Sequence, residues 1–492
     1  MSLINVSNLT FGYDGAYDNV FENVSFQLDT DWRLGFVGRS GRGKTTFFKL
    51  LMNQLEYSGR INSNVNFEYF PYDVKNPDWL SVDIVKEIAP NAEDWEILKE
   101  LSLLDLDEDA LYRQFYTLST GEQTKVLLAA MFLKENSFLL IDEPTNHLDM
   151  HAREKLADYL SSKKGFILIS HDRHILDRCV NHILSVNKCS IEVMKGNFTQ
   201  WQESKTLRDE YELKENEKLR SEIKRLSEAS SRTVKWSDKT EKAKRNTRNS
   251  GLRPDRGYIG HKSAKMMKRA KNIEARQNAA VEEKSKLLKD IDNFDSLEMR
   301  PLKFFENTLI EFSDVSIFYD GNAVCKNINF KINQGNRIAL CGKNGCGKSS
   351  ILKLICGCAV DYKGEIRKNS QLTISYVPQN ACGLFGSLSA FAYENNIDEG
   401  ILKTVLSKLG FSKSQLENNM ENYSEGQKKK VLLAKSLCEK AHLYVWDEPL
   451  NYIDIISRIQ LEKLLLQFNP TVIFVEHDKE FCRNIATANI FL

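Results

Sequence analysis

Two nine-residue stretches have the composition best suited to holding phosphate, GRSGRGKTT (38–46) and GKNGCGKSS (342–350). Both fit GxxxxGK[ST], and each lies between a short apolar run that reads as a strand, LGFV or IALC, and a helical pattern. Glycines at Gly38, Gly41 and Gly43, and at Gly342, Gly345 and Gly347, let backbone N–H groups close around phosphate oxygens. Lys44 and Lys348 would neutralise charge at the β- and γ-phosphates, and the hydroxyls of Thr45 and Ser349 can bind Mg²⁺. Arg39, Ser40, Arg42 and Thr46 complete the first candidate nucleotide-binding loop. Lys343, Asn344, Cys346 and Ser350 complete the second.

Further along, FLLIDEPTNHLD (138–149) and LYVWDEPLNYID (443–454) each set Asp-Glu-Pro after an apolar strand. The first carboxylate, Asp142 or Asp447, is expected near the metal. The second, Glu143 or Glu448, is expected near the attacking water, which it can orient or deprotonate. FILISHD and VIFVEHD end apolar strands on His171 and His477, placed to contact a γ-phosphate. LSTGEQTKVLLAA (118–130) and YSEGQKKKVLLAK (423–435) put Ser119 and Gly121, or Ser424 and Gly426, ahead of an amphipathic helix, a second phosphate-accepting N-terminus. One nucleotide cannot readily use both edges of one domain. Two domains facing head to tail could sandwich two nucleotides.

These motifs need two copies of one α/β scaffold. The offsets between them are 304 for Gly38 and Gly342, 305 for Ser119 and Ser424 and for Asp142 and Asp447, and 306 for His171 and His477. So steady a spacing over a chain of 492 residues means a duplicated domain. The copies are joined by a stretch rich in Glu, Lys, Leu, Arg and Ala that reads as a helical hairpin, with arms of about 30 residues, roughly 45 Å each at 1.5 Å per residue. Its turn is expected around Gly251, Pro254, Gly257 and Gly260. The arms are nearly neutral, whereas 232–271 carries 14 Lys/Arg against 3 Asp/Glu. A cationic tip interleaved with Trp236, Tyr258 and His261 suits RNA phosphates and bases better than a membrane, which would need a continuous apolar face. No apolar run approaches the roughly 18 residues of a spanning helix. The start, MSLINVSNLTFGY, lacks a secretory pattern, so a cytoplasmic protein is expected. The 10 cysteines have no CxxC spacing and are expected to be reduced thiols.

Taken together, these motifs resemble ATP-binding cassettes, and their tandem arrangement resembles the ABC-F family, with the Lsa-type antibiotic-resistance branch the nearest likeness. The resemblance implies an α/β fold of two tandem ATP-binding cassette domains (1–200 and 303–492) joined by a long α-helical hairpin, or coiled coil (201–302). It implies an ATPase using ATP and Mg²⁺, with each phosphate loop facing the Ser-Gly signature of the other cassette. Tyr13 and Tyr319 would stack on adenine, and Gln379, in SYVPQ, would join the metal shell. The first copy reads EYFPYDV, with Tyr72 at that position, so unequal turnover at the two sites is expected. The resemblance further implies a monomer that binds the ribosome and inserts its linker at the tRNA exit site. There the tip would meet 23S rRNA and P-site tRNA and displace lincosamide, streptogramin A or pleuromutilin drugs. The other readings are an ABC-F translation factor without a resistance role, the ATPase subunit of a drug exporter, which would need a membrane partner, and a DNA-structural ATPase, whose coil would split one cassette.

Overall fold

The computed structural model describes residues 2–13, 19–146, 148–187, 190–243, 298–319, 322–343, 345–381 and 383–492. The chain divides into two compact units, Met1–Trp201 with Phe294–Leu492, and Gln202–Asn293. In the larger unit, the apolar runs next to the candidate site become central strands, because a parallel strand is covered on both faces and tolerates no alternation. The first half has a six-stranded sheet in the order Asn66–Phe70, Ser137–Asp142, Phe166–Ile169, Arg33–Val37, His182–Asn187, Ser190–Lys195. All its neighbours pair in parallel except the last two. The second half repeats this with five parallel strands, Ile374–Val377, Leu443–Asp447, Val472–Val475, Arg337–Cys341 and Ala488–Phe491. A three-stranded antiparallel sheet accompanies each, centred on Leu3–Phe11 and on Thr308–Tyr319.

Each half builds a core on either side of its parallel sheet. On Ser137–Asp142, Leu139 and Ile141 pack with Val126 and Leu128 of helix Thr120–Phe132. Phe138 and Leu140 point the other way, into a core with Phe36, Phe47 and Phe48 of the phosphate-loop unit. This period of two pins the strand end that carries Asp142 and Glu143 between two dry layers.

The helix that opens the joining segment is longer than the sequence suggested. It runs unbroken over Phe198–Ala243, 46 residues, about 70 Å at 1.5 Å per residue. The expected arm of about 30 residues ended where the basic stretch begins. Charge alone does not stop a helix, and no Gly or Pro occurs between 198 and 243 to do so. The expected turn at 251–260, the rest of the tip and the second arm lie outside the described residues. Among the described residues no helix is long and apolar enough to cross a membrane. The eight described cysteines are all free thiols, and Cys189 and Cys382 lie outside that set.

Candidate active site

The phosphate loops follow strands Arg33–Val37 and Arg337–Cys341 and turn into helices Lys44–Leu51 and Lys348–Cys356. The turn demands glycine at the residue before each helix. Gly43 has φ 87°, and a Cβ there would lie 2.4 Å from Val20 Cγ1; Gly347 has φ 92°, and its Cβ would lie 2.3 Å from Cys325 Sγ. Lys44 Nζ donates to the Gly38 and Arg39 carbonyls at 2.8 and 3.1 Å. Lys348 Nζ repeats this on Gly342 and Lys343 at 2.9 and 2.8 Å. Both ammonium groups are thus buried at the mouth of their loops, and burial lowers the Lys44 pKa. Arg42 N and Cys346 N close the loops onto the Arg39 and Lys343 carbonyls. Asn344 lies outside the described residues.

Behind the first loop, Thr45 Oγ1 donates to Asp142 Oδ2 at 2.9 Å, and Tyr69 Oη donates to the same oxygen at 3.2 Å. Burial raises the pKa of Asp142 against these two bonds. Ser349 hydrogen-bonds Asp447, whose pKa burial also raises and whose Oδ1 has no partner. Hydroxyl and carboxylate oxygens are the hard donors that Mg²⁺ takes alongside phosphate. Among the described residues no cluster of three or more His, Cys, Asp or Glu would hold a metal unaided. The donor set therefore fits an ion that arrives with nucleotide, and at the second loop the orphaned Asp447 oxygen is the clearest sign of it.

In both halves the carboxylate and the histidine lie side by side. His171 Nε2 lies 3.2 Å from Glu143 Oε1, and His477 Nε2 lies 3.5 Å from Glu448 Oε1. Glu143 and Glu448 both adopt left-handed backbone, φ 50° and 48°. A non-glycine residue pays about 1–2 kcal/mol for that conformation, so the same strain at matched positions marks two carboxylates that must point one way. Their surroundings differ. Glu448 Oε1 accepts from Gln379 Nε2 at 3.0 Å and Oε2 from Asn451 Nδ2 at 2.5 Å. Burial works to raise its pKa, but the attraction of His477 and these amides wins and holds it at about 2. Glu143 is pushed up to about 8 by burial and then by the Asp142 charge, and burial lowers the pKa of His171 beside it. Tyr72 packs on the first core and does not meet Asp142; Tyr69 does.

The two halves meet across two cavities. The first, about 280 Å³, is lined by Ser40, Gly41, Glu143 and His171 of one half and Ser424, Gly426 and Gln427 of the other. The second, about 510 Å³, joins Gly345, Gly347, Lys348, Ser349, Ser350, Gln379, Glu448 and His477 to Thr120. From the first signature it is thus Thr120, between Ser119 and Gly121, that reaches the cavity wall. Tyr319 lines the second cavity with its hydroxyl 3.1 Å from Ser350 Oγ, while Tyr13 Oη lies 2.8 Å from Thr46 Oγ1 outside the first cavity's lining. Both residues are nearly half exposed, Tyr13 at 47% and Tyr319 at 43%.

The signature helices carry capping boxes. Ser424 Oγ accepts from Gln427 N at 3.3 Å while Gln427 Oε1 accepts from Ser424 N at 2.9 Å, and Ser119 with Glu122 does the same. Ser424→Ala should lower stability by about 1 kcal/mol in urea titrations. The same change should raise KM for ATP on the order of tenfold through loss of a hydrogen bond to a charged phosphate. An unchanged KM would mean that this helix end does not touch nucleotide.

Sequence reasoning missed the residues that close the interface. Asp454 Oδ2 accepts from Ser40 N in the opposite loop at 3.3 Å and from Lys430 Nζ at 3.0 Å. Arg173 and Glu462 form a buried ion pair between halves, and Lys479 with Glu154 forms a more exposed one. Arg173 and Lys479 stand 306 positions apart, the offset of the histidines, so the repeat was visible even though the pairing was not.

Two phosphate loops, each facing the other half's signature helix, define a tandem α/β protein built to hold and hydrolyse two nucleotides. The chain belongs to the ABC transporter family, whose model matches 21–146 and 325–451, and within it to the ABC-F ATPases, enzymes that hydrolyse ATP. It is 27% identical to the ATP-binding protein Uup of Buchnera aphidicola (strain APS), over 99% of this chain and 80% of that protein. It is 26% identical to the ribosome protection protein VmlR of Bacillus subtilis, over 100% of this chain and 86% of that protein. Among solved structures, the archaeal ribosome recycling factor aABCE1, in complex with the stalk protein aP1, superposes with TM-score 0.63 at 18% identity, covering 98% of this chain and 87% of that one. That last likeness speaks to the fold.

Proposed function

We propose that this chain is a ribosome-associated ABC-F ATPase of the Lsa-type branch, which protects the ribosome from lincosamide, streptogramin A and pleuromutilin antibiotics. The observation that carries the reading is the pairing of two nucleotide cavities with a joining segment whose middle, 232–271, holds 14 Lys/Arg against 3 Asp/Glu. Similarity to a ribosome protection protein along the whole chain supports it. In this reading residues 1–200 and 303–492 are the cassettes, 201–302 is the linker, and the chain acts as a cytoplasmic monomer. ATP is gripped by the loops around Lys44 and Lys348 and by Ser119, Gly121, Ser424 and Gly426, with Tyr13 and Tyr319 on adenine. Mg²⁺ would be held by Thr45 and Ser349, with Asp142, Asp447 and Gln379 around it, and would supply charge neutralisation at the phosphates. Glu143 and Glu448 orient or deprotonate water, and His171 and His477 contact the γ-phosphate. Cassettes closed on ATP present the cationic tip to 23S rRNA and P-site tRNA near the tRNA exit site, and hydrolysis releases the protein.

The test is co-sedimentation. Glu143→Gln combined with Glu448→Gln should pellet with ribosomes in ATP far more than the unmodified chain does, and its expression should be compared with drug susceptibility in a sensitive host. Failure to pellet with ribosomes in ATP would overturn the ribosomal reading and leave the exporter-subunit alternative, for which membranes are the matching pellet. Pelleting without any change in susceptibility would leave a translation factor of the same family.

A further inference from the structure

One side chain of the second cassette has no role in the chemistry above and is nevertheless among the most buried in the molecule. Lys429 is 2% exposed and sits on helix Glu425–Cys438, five residues after the signature serine. An ammonium carries three donors and accepts nothing. Here all three are used on main-chain carbonyls: Pro378 O at 2.6 Å, Gln379 O at 3.0 Å and Asp447 O at 2.9 Å. The first two belong to the loop that presents Gln379, and the third to the strand end that presents Asp447 and Glu448. Buried Glu476 attracts the same cation and itself accepts from Leu450 N at 2.7 Å, just past Glu448.

The two ends of this link lie at different nucleotide sites. Ser424, Gly426 and Gln427, at the start of the helix, line the first cavity against Ser40 and Glu143. Gln379 and Glu448 line the second cavity. Among the described residues of the first cassette there is no equivalent link. At the matching positions stand Thr124 and Ser170, and Thr124 Oγ1 bonds only back to Thr120 O on its own helix, at 2.9 Å. The basic and the acidic residue thus occur together in one copy, where a buried cation requires its counter-charge, and neither occurs in the other.

We propose that Lys429 is a positioning residue that couples the two ATP sites, so that nucleotide packed on the signature helix at the first site sets the placement of Gln379, Asp447 and Glu448 at the second. Three short bonds with no spare donor leave the helix and the loop little freedom to move separately. The first cassette, whose Thr124 bonds back to its own helix, adds no second link of this kind. This inference rests on the two-site reading above.

The experiment is a double-mutant cycle on the full chain. Second-site turnover is read as ATP hydrolysis by the Glu143→Gln protein. Adding Lys44→Ala, which removes the phosphate grip at the first site, should lower its kcat roughly 5- to 150-fold, the usual span of a coupling between sites. In a Lys429→Thr background the same addition should change kcat less than about twofold, because the link is already cut. Lys429→Thr alone should lower second-site kcat with KM for ATP little changed, since the Lys348 loop is untouched, and Lys429→Arg should restore the dependence. Equal losses on adding Lys44→Ala with and without Lys429, or no loss in either, overturn the proposal. If Lys429→Thr does not fold, Lys429→Met runs the same cycle. If neither folds, Thr124→Lys with Ser170→Glu grafts the link onto the first cassette, where first-site turnover should become sensitive to Lys348→Ala; insensitivity overturns the proposal. Counting bound nucleotide by equilibrium dialysis, at two per chain, checks the two-site reading separately.

Discussion

Glu448→Gln should lower the kcat of ATP hydrolysis about tenfold or more at pH 7, whereas Glu143→Gln should cost less than about twofold. Glu448 is held ionised by the Gln379 and Asn451 amides and by His477, with its pKa at about 2, so at neutral pH it is a carboxylate throughout and can orient the attacking water. Glu143 has the His171 backbone N–H and, among the described residues, no side-chain amide. Its Oε1 lies 3.2 Å from His171 Nε2 but out of line for a hydrogen bond, and burial with the Asp142 charge raises its pKa to about 8. At pH 7 roughly one tenth of it is ionised. The sign of the pH dependence follows. Raising the pH through 8 ionises Glu143, so turnover remaining in Glu448→Gln should climb between pH 7 and 9. Turnover in Glu143→Gln has no such limb, because Glu448 is ionised throughout that range. Stopped-flow phosphate release for each single variant reads both. Equal losses at pH 7, or parallel pH profiles, would show that the amides around Glu448 do not distinguish the sites.

This inequality was half legible in the sequence. SYVPQ against EYFPYDV puts Gln379 in one copy and Tyr72 in the other, which is enough to expect different sites. The expectation placed the glutamine on the metal. In the structure its amide nitrogen donates to Glu448, which leaves its amide oxygen for a metal, and the first copy supplies Tyr69 to Asp142. Both tyrosines stand in EYFPYDV, yet only Tyr69 lies on strand Asn66–Phe70, and local spacing does not show that the strand ends before Pro71. Motifs of local spacing read well because the chemistry fixes them within one turn or one loop: Gly43 before Lys44, Ser424 with Gln427. The apolar strands also read well, since FLLI, FILI and VIFV have no polar alternation and must be buried on both faces. What could not be read were partners far apart in the chain. Arg173 and Glu462, or Ser40 and Asp454, are ordinary polar residues in their own segments, and only the folded interface brings them together. Lys429 was hidden differently, because a lysine in the run QKKKV looks like a solvated helix face and is instead among the most buried side chains.

Asp454→Asn should cost about 3–5 kcal/mol, the range for removing one partner of a buried ion pair and leaving the other charged. For a cassette near 200 residues that is a fall in melting temperature on the order of 10 °C. Asparagine caps helices as well as aspartate does, so the bond that Asp454 Oδ1 accepts from Ser457 N at 2.9 Å should survive in kind. The loss isolates Oδ2, which serves Lys430 in its own half and Ser40 N in the other. Asp454 is fully buried, and burial works to raise its pKa. Lys430, the Ser457 N–H and His171 outweigh that and hold it well below the usual carboxylate range. A carboxylate depressed in the folded state stabilises the protein above its unfolded pKa of about 4, and that stability drains as pH falls towards the folded value. The difference in melting temperature between the two proteins should therefore be full at pH 7 and shrink below about pH 4. A gap that stays constant on acidification would mean that the amide fails for reasons of shape, and that the charge of Asp454 does not hold the first phosphate loop against the second cassette.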